Sequence, residues 1–149
     1  MGILFFAGCL SGYDTFFRRL CDYLLDRIRR TVLFYSQLIK TLRNLYIQYP
    51  QAVFAVSRLS YLECRIKPLR ENDQFLLDLY DQFFTANNLG IIELDAQVID
   101  TATHFRVQYN LRTPDALQVA SALTITGDKC LITGDIKFKN IQELQVLCV

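Results

Sequence analysis

Histidine is nearly missing from this chain, occurring once in 149 residues, and no two of the five cysteines form a C-x-x-C pair. Zinc sites built from several cysteine and histidine ligands at short spacing are therefore not expected. Cys9, Cys21, Cys64, Cys130 and Cys148 are odd in number and far apart, which suits reduced cytosolic thiols packed as small hydrophobes better than a disulfide framework. There is no run of eighteen uncharged apolar residues, so no transmembrane helix is expected. The opening MGILFFAGCLSG is apolar but lacks the basic residues that precede the apolar core of a secretory signal. Neither secretion nor a lipid anchor at Cys9 follows from it, and the expected location is the cytoplasm, without a membrane partner. A basic excess is lacking too, since sixteen Lys and Arg face fifteen Asp and Glu, so composition alone announces no nucleic-acid ligand. No period of 20–50 residues suggests a repeat array.

What is present is a globular composition, 52% hydrophobic and 21% charged, at the size of one domain. Charge is unevenly placed: residues 1–50 hold seven basic residues and three acids, residues 51–149 nine and twelve. From Gln51 onward the pattern is regular. Ala52–Ser57 (AVFAVS) reads as a buried strand. A helix over Leu59–Lys67 should stop near Pro68, and Asn72 would cap a second over Phe75–Phe84, with Phe75, Leu76, Leu79, Tyr80 and Phe83 inward. Asn87–Gly90 reads as a break and Ile91–Leu94 as a strand. Ala96–Tyr109 reads as a helix with Val98, Ile99, Ala102, Phe105 and Tyr109 on one face. Thr113 as N-cap and Pro114 open a helix, too apolar for a surface, that runs to about Thr126. Strand Cys130–Thr133, a short helical piece at Ile136–Ile141 and strand Leu144–Cys148 complete the chain. Alternating strands and helices imply an α/β fold of three layers, α/β/α, around a central parallel sheet.

In such a sheet the site lies beyond the carboxyl ends of the strands. Three acids fall there: Glu63 on the helix after a strand, Asp115 at the start of the apolar helix, and Asp135 just past LIT. Oxygen ligands around a cleft suit Mg²⁺ or Mn²⁺, which would relieve their mutual repulsion, and the natural chemistry is metal-assisted phosphodiester hydrolysis. Each acid has a plainer reading as well. Asp115 suits any helix first turn, Asp135 suits a turn, and Glu63 could pair with Lys67 four residues on. Thr133 fits ordinary strand composition, and His104 fits a polar helix face.

Taken together, AVFAVSRLSYLECRIKPLREND, RTPDALQVASAL and LITGD followed by Phe138 resemble the PIN domain in the form found in VapC-type ribonuclease toxins. The resemblance covers roughly residues 50–149, within a single PIN-like domain over 1–149. It implies Glu63, Asp115 and Asp135 as metal-binding acids with Thr133 as an auxiliary polar residue, and a Mg²⁺- or Mn²⁺-dependent endoribonuclease acting on RNA. It also implies a parallel sheet with its first strand central, a homodimer, and a small antitoxin that occludes the site. Arg58, Arg65, Arg70, Lys137 and Lys139 are basic residues suited to phosphates but not to reading bases.

The resemblance fails at residues 1–40, an atypical segment. A PIN domain opens with an apolar strand ending in an acid; here Ile3–Ala7 is followed by Gly8 and Cys9. Asp14-Thr15 offers the dipeptide without the strand, and Ser11 with Asp14 reads more simply as a helix-capping pair. The codons of YDTFFRRLCDYLLDR, read one nucleotide later with suitable synonyms, permit MILFLDACVIIYLIE, a complete PIN opening. Residues from before Tyr13 to near Phe34 are accordingly read as translated out of frame, with the frame restored before about Lys40. Two functions follow: an endoribonuclease weakened by loss of the first acid, or a degenerate, non-catalytic PIN-like module that binds a protein partner or RNA. A receiver domain fits less well, because it needs adjacent acids after its first strand.

Overall fold

The computed structural model describes residues 2–7, 44, 47, 52–85 and 89–148. Its elements are β1 (Gly2–Ala7), β2 (Ala52–Ser57), α1 (Arg58–Glu71), α2 (Gln74–Phe84), β3 (Leu89–Ile92), α3 (Ala96–Tyr109), α4 (Thr113–Leu123), β4 (Lys129–Thr133), a 3₁₀ helix (Ile136–Asn140) and β5 (Gln145–Cys148). The segment read as shifted in frame, Asp14, Cys9 and Cys21 lie outside the described residues.

The five strands form one sheet in the order β3-β2-β1-β4-β5. β2 pairs with β3, and β4 with β5, in parallel. β1 is antiparallel to both β2 and β4, so β2, β3, β4 and β5 share one direction. The α/β class and the parallel sheet are as expected for these four. β1 is central, as the resemblance implies, but runs the other way. A strand between two others must satisfy two rows of backbone donors and acceptors, and either direction can do so. Its reversal pairs Gly2 with Thr133 and Ala7 with Ala52, putting the end of β1 at the amino edge of the other strands.

The sheet buries both faces. Ala55 and Leu131 join Phe105, Val119, Ala122, Phe138, Ile141 and Leu144 in one core, while Phe54, Val56 and Ile132, on the alternate positions, are equally buried. α3 lies against α4 through Val98, Ala102, Ala116 and Ala120. Small side chains at these positions let the two helices approach closely. Ile99, expected on the inner face of α3, is exposed because that face is centred on Val98, Ala102 and Phe105.

Several boundaries differ from the sequence expectation, each for a local reason. α1 continues through Pro68 to Glu71; the buried proline ring offsets the hydrogen bond it cannot donate. Asn72 ends this helix rather than capping the next: at φ 53° it is left-handed, and the Asn72 and Asp73 amides donate to Leu69 and Pro68 carbonyls. Asp73 caps α2 by accepting from Leu76 N at 3.1 Å. The inner face of α2 centres on Leu77 and Phe84, leaving Phe75 exposed. Gly90 lies inside β3, where a Cβ would stand 3.3 Å from that of Ala55, so it allows close strand approach instead of breaking the chain. α4 starts at Thr113 with Arg112 as its cap and stops at Leu123, ahead of Gly127 at φ 87°.

Candidate functional site

The carboxyl ends of β2 and β4 open onto a cavity of about 250 Å³ lined by Glu63, Arg112, Pro114, Asp115, Gln118, Thr133, Asp135 and Phe138. All four residues singled out in the sequence, Glu63, Asp115, Thr133 and Asp135, lie on this one wall set. Each arrives by a different route. Thr133 ends β4, and its buried Oγ1 accepts from the Asp135 amide at 3.1 Å, which shapes the Thr-Gly-Asp turn. Asp135 caps the 3₁₀ helix, its Oδ1 accepting from Lys137 N at 3.0 Å. Asp115 stands in the first turn of α4, where unpaired helix amides favour negative charge.

Glu63 is brought opposite Asp115 by a polar seam between α1 and α4. The Ser57 and Ser121 hydroxyls pair at 2.9 Å, and Gln118 Nε2 donates to Ser60 Oγ at 3.1 Å. Three residues further along α1 is Glu63, and three residues back along α4 is Asp115. The third pair of the same two rows therefore consists of two acids, both facing the cavity. The plainer reading of Glu63, a pair with Lys67, is not what forms: Lys67 lies 3.9 Å from Glu71 instead.

Arg112, largely exposed at the cavity's edge, is the counter-ion of Asp115. Its Nε donates to Asp115 Oδ2 at 2.9 Å. That bond and the nearby Asp115 and Asp135 carboxylates push the guanidinium pKa further up. Among the described residues no three His, Cys, Asp or Glu side chains stand close enough to grip one metal ion. The acids line a shared space with an arginine as counter-ion. Apart from Arg112, the polar side chains on the wall carry oxygens, the donor set that suits Mg²⁺ or Mn²⁺ and not a soft cation. Gln118 Oε1 is buried without a hydrogen-bond partner, an acceptor that a cation or its water would satisfy.

Arg112 and Gln118 were not picked out in the sequence. Their only signal there is spacing, three residues before and three after Asp115. Of the basic residues read as phosphate contacts, Arg58 is paired with Glu93, and Arg65 with Asp81 while its guanidinium lies 4.9 Å from the Tyr61 ring centre. Arg70, Lys137 and Lys139 are exposed. His104 is exposed on α3, as its plainer reading has it. Cys64, Cys130 and Cys148 form no disulfide. Among the described residues no helix is long and apolar enough to cross a membrane.

The PIN domain family profile matches residues 32–144. Among solved structures, the fold is similar to that of VapBC2 from Rickettsia felis bound to a DNA fragment from its promoter. The TM-score is 0.60 at 20% identity, covering 87% of this chain and 93% of the other. Among curated proteins, none matches the sequence.

Proposed function

The chain belongs to the PIN domain family, and on that premise we propose that it is a Mg²⁺- or Mn²⁺-dependent endoribonuclease of VapC type, weakened at its central strand. The observation that carries this reading is that Glu63, Asp115 and Asp135, from three separate stretches of sequence, line one cavity. Those carboxylates stand too far apart to grip one ion together, so they would have to close on the cation to hold it, with Thr133 fixing the turn that presents Asp135. A cation held there would polarise a phosphodiester and make a bound water more acidic. The α4 amides beside Asp115 favour the phosphate, while Arg112 is placed to neutralise either the acids or the substrate.

The weakness follows from the direction of β1. In this family's usual pattern the first strand ends in an acid; here the end of β1 is paired with Ala52, four to five residues of strand away from Thr133. That is roughly 13–17 Å at the rise of a strand, too far for an acid after Ala7 to reach Asp135. This supports the second reading, a non-catalytic module that binds a partner or RNA. Leu62, Ile66 and Leu69 are exposed on α1 at spacings of four and three, an apolar row suited to a small antitoxin or a second copy of the chain. An antitoxin partner, a homodimer and a cytoplasmic location are proposed here on the resemblance of the sequence to VapC-type PIN domains.

The deciding experiment incubates purified protein with a mixed-sequence RNA in Mg²⁺, in Mn²⁺ and in EDTA, beside Asp115→Asn and Asp135→Asn. Slow cleavage that EDTA and either substitution abolish is the expected result. Cleavage unaffected by EDTA rejects the metal mechanism, and no cleavage in either ion favours the binding module.

A further inference from the structure

The 3₁₀ helix that follows Asp135 carries two lysines on a turn that is also part of the cavity. At three residues per turn its side chains fall into columns three apart. Phe138 and Ile141 share the inner column, 4% and 2% exposed, and Phe138 lines the cavity. With that column anchored, Lys137 and Lys139 stand on either side of Phe138 and are both exposed. The start of the helix is fixed as well. Asp135 Oδ1 accepts from the Lys137 amide at 3.0 Å, and the Asp135 carbonyl accepts from the Phe138 amide at 3.3 Å. A cavity acid and the first of the two lysines are thus held two residues apart on one bonded turn.

Most other cations in the described residues are committed. Arg58 is paired with Glu93, Arg65 with Asp81, Lys67 with Glu71 and Arg112 with Asp115. Lys129 donates to the Leu123 and Ile125 carbonyls, and Arg106 to that of Leu111. Glu143, the acid just beyond the 3₁₀ helix, is bonded to Tyr109 and Gln108. Among the described residues the Lys137 and Lys139 ammonium groups have neither an ion pair nor a hydrogen bond. Arg70 is exposed too, but it lies seven residues beyond Glu63 on α1, roughly 10 Å along the helix axis, a distance over which salt screens a surface charge. Three carboxylates lining a cavity repel a phosphodiester. Arg112 ahead of α4, with Lys137 and Lys139 after β4, supplies as many positive charges from the segments that carry Asp115 and Asp135.

We infer that Lys137 and Lys139 grip the backbone of single-stranded RNA at this cavity, as point charges on its phosphates that read no bases. This rests on the cavity being an RNA site and holds for a cleaving and a non-cleaving chain alike. The two lysines bind and position the strand; they take no part in chemistry.

The test is fluorescence anisotropy of the full chain with labelled oligouridine and a labelled mixed-sequence RNA, in EDTA and at stepped salt. It compares the unaltered protein with Lys137→Gln, Lys139→Gln, both together, Lys137→Arg with Lys139→Arg, and Arg70→Gln, each also melted thermally. Each glutamine should weaken binding roughly fivefold to tenfold at about 50 mM salt, equally for both RNAs, and lower the slope of log K against log salt by about 0.7, one single-strand phosphate contact. The arginine pair should bind as the unaltered chain does, Arg70→Gln should lose less than either lysine variant, and Tm should not move. Unchanged affinity in the double glutamine variant overturns the inference. So does an equal loss in Arg70→Gln, which would make the effect one of net charge, or a loss that arginine fails to restore or that follows a lower Tm, which would make it structural. Cleavage in Mg²⁺ and Mn²⁺, assayed alongside, separates this from the nuclease reading. Cleavage by a chain whose RNA binding ignores both lysines overturns their role alone, binding through the lysines without cleavage leaves it standing and removes the nuclease, and neither binding nor cleavage overturns both.

Discussion

The Arg112 guanidinium donates to Asp115 at 2.9 Å and lies near enough to Asp135 for both carboxylates to raise its pKa. Any cation entering the cavity has to share those oxygens with it. Arg112→Gln is therefore expected to tighten Mn²⁺ binding by a factor of a few in calorimetry while weakening RNA retention on a filter; weaker Mn²⁺ binding would show that the arginine organises the acids instead of competing for them. Cys64 is a different case one position from Glu63. Burial, reinforced by the Glu63 carboxylate, pushes its thiol up to about 12. A raised pKa keeps the thiol neutral, so at pH 8 only about one molecule in ten thousand carries the reactive thiolate. Iodoacetamide at pH 8 should label Cys64 far more slowly in the folded protein than in urea, read by peptide mass spectrometry. Equal rates would contradict the burial.

At the scale of elements, the end of α1 shows how a single residue sets a boundary. Asn72 adopts a left-handed conformation at φ 53°, which lets the Asn72 and Asp73 amides close on the last carbonyls. Asn72→Gly should be neutral or slightly stabilising, whereas Asn72→Val, β-branched and forced into that region, should cost about 1–2 kcal/mol. For a domain of this size that lowers Tm by roughly 2–8 °C; no change in Tm would mean the turn is not formed as described. α1 matters because it carries Glu63, and its first turn is tied to α4 by Ser57–Ser121 and Ser60–Gln118. The Ser57 hydroxyl also accepts from Leu59 N at 3.3 Å, so one side chain both caps the helix and sets its register.

For the whole molecule the governing feature is the sense of β1. With β2, β3, β4 and β5 running one way and β1 the other, the acidic cavity draws its carboxylates from two helices and one turn, and none from the central strand. Asp14→Asn should then leave cleavage unchanged. Replacing residues 13–27 by MILFLDACVIIYLIE should restore strong Mg²⁺- or Mn²⁺-dependent cleavage and raise Tm, because an apolar strand ending in an acid could then occupy the central position in the parallel sense. A coding sequence incompatible with the shifted reading, or strong cleavage by the unaltered chain, would reject that account.

What the amino-acid sequence determined by itself is everything carried by local period and short spacing. The alternation of strands and helices from Ala52 to Cys148, the place of Asp115 beside Pro114 at a helix start and the Thr133–Asp135 turn are properties of a few neighbouring residues, and they were legible. So was the gap at Gly8 and Cys9, where no acid follows the first apolar run. Boundaries were less so: Pro68 stays helical because tertiary burial of its ring outweighs a local rule, and Gly90 enters a strand because Ala55 lies across from it. Only the tertiary structure decided the direction of β1, since an apolar strand satisfies its neighbours' hydrogen bonds in either sense and its sequence carries no arrow. It also decided that Ser57 meets Ser121 and Ser60 meets Gln118, which puts Glu63 and Asp115 on the wall of one cavity. Those contacts join residues more than fifty positions apart, and no period within either helix encodes which row of the other it will face.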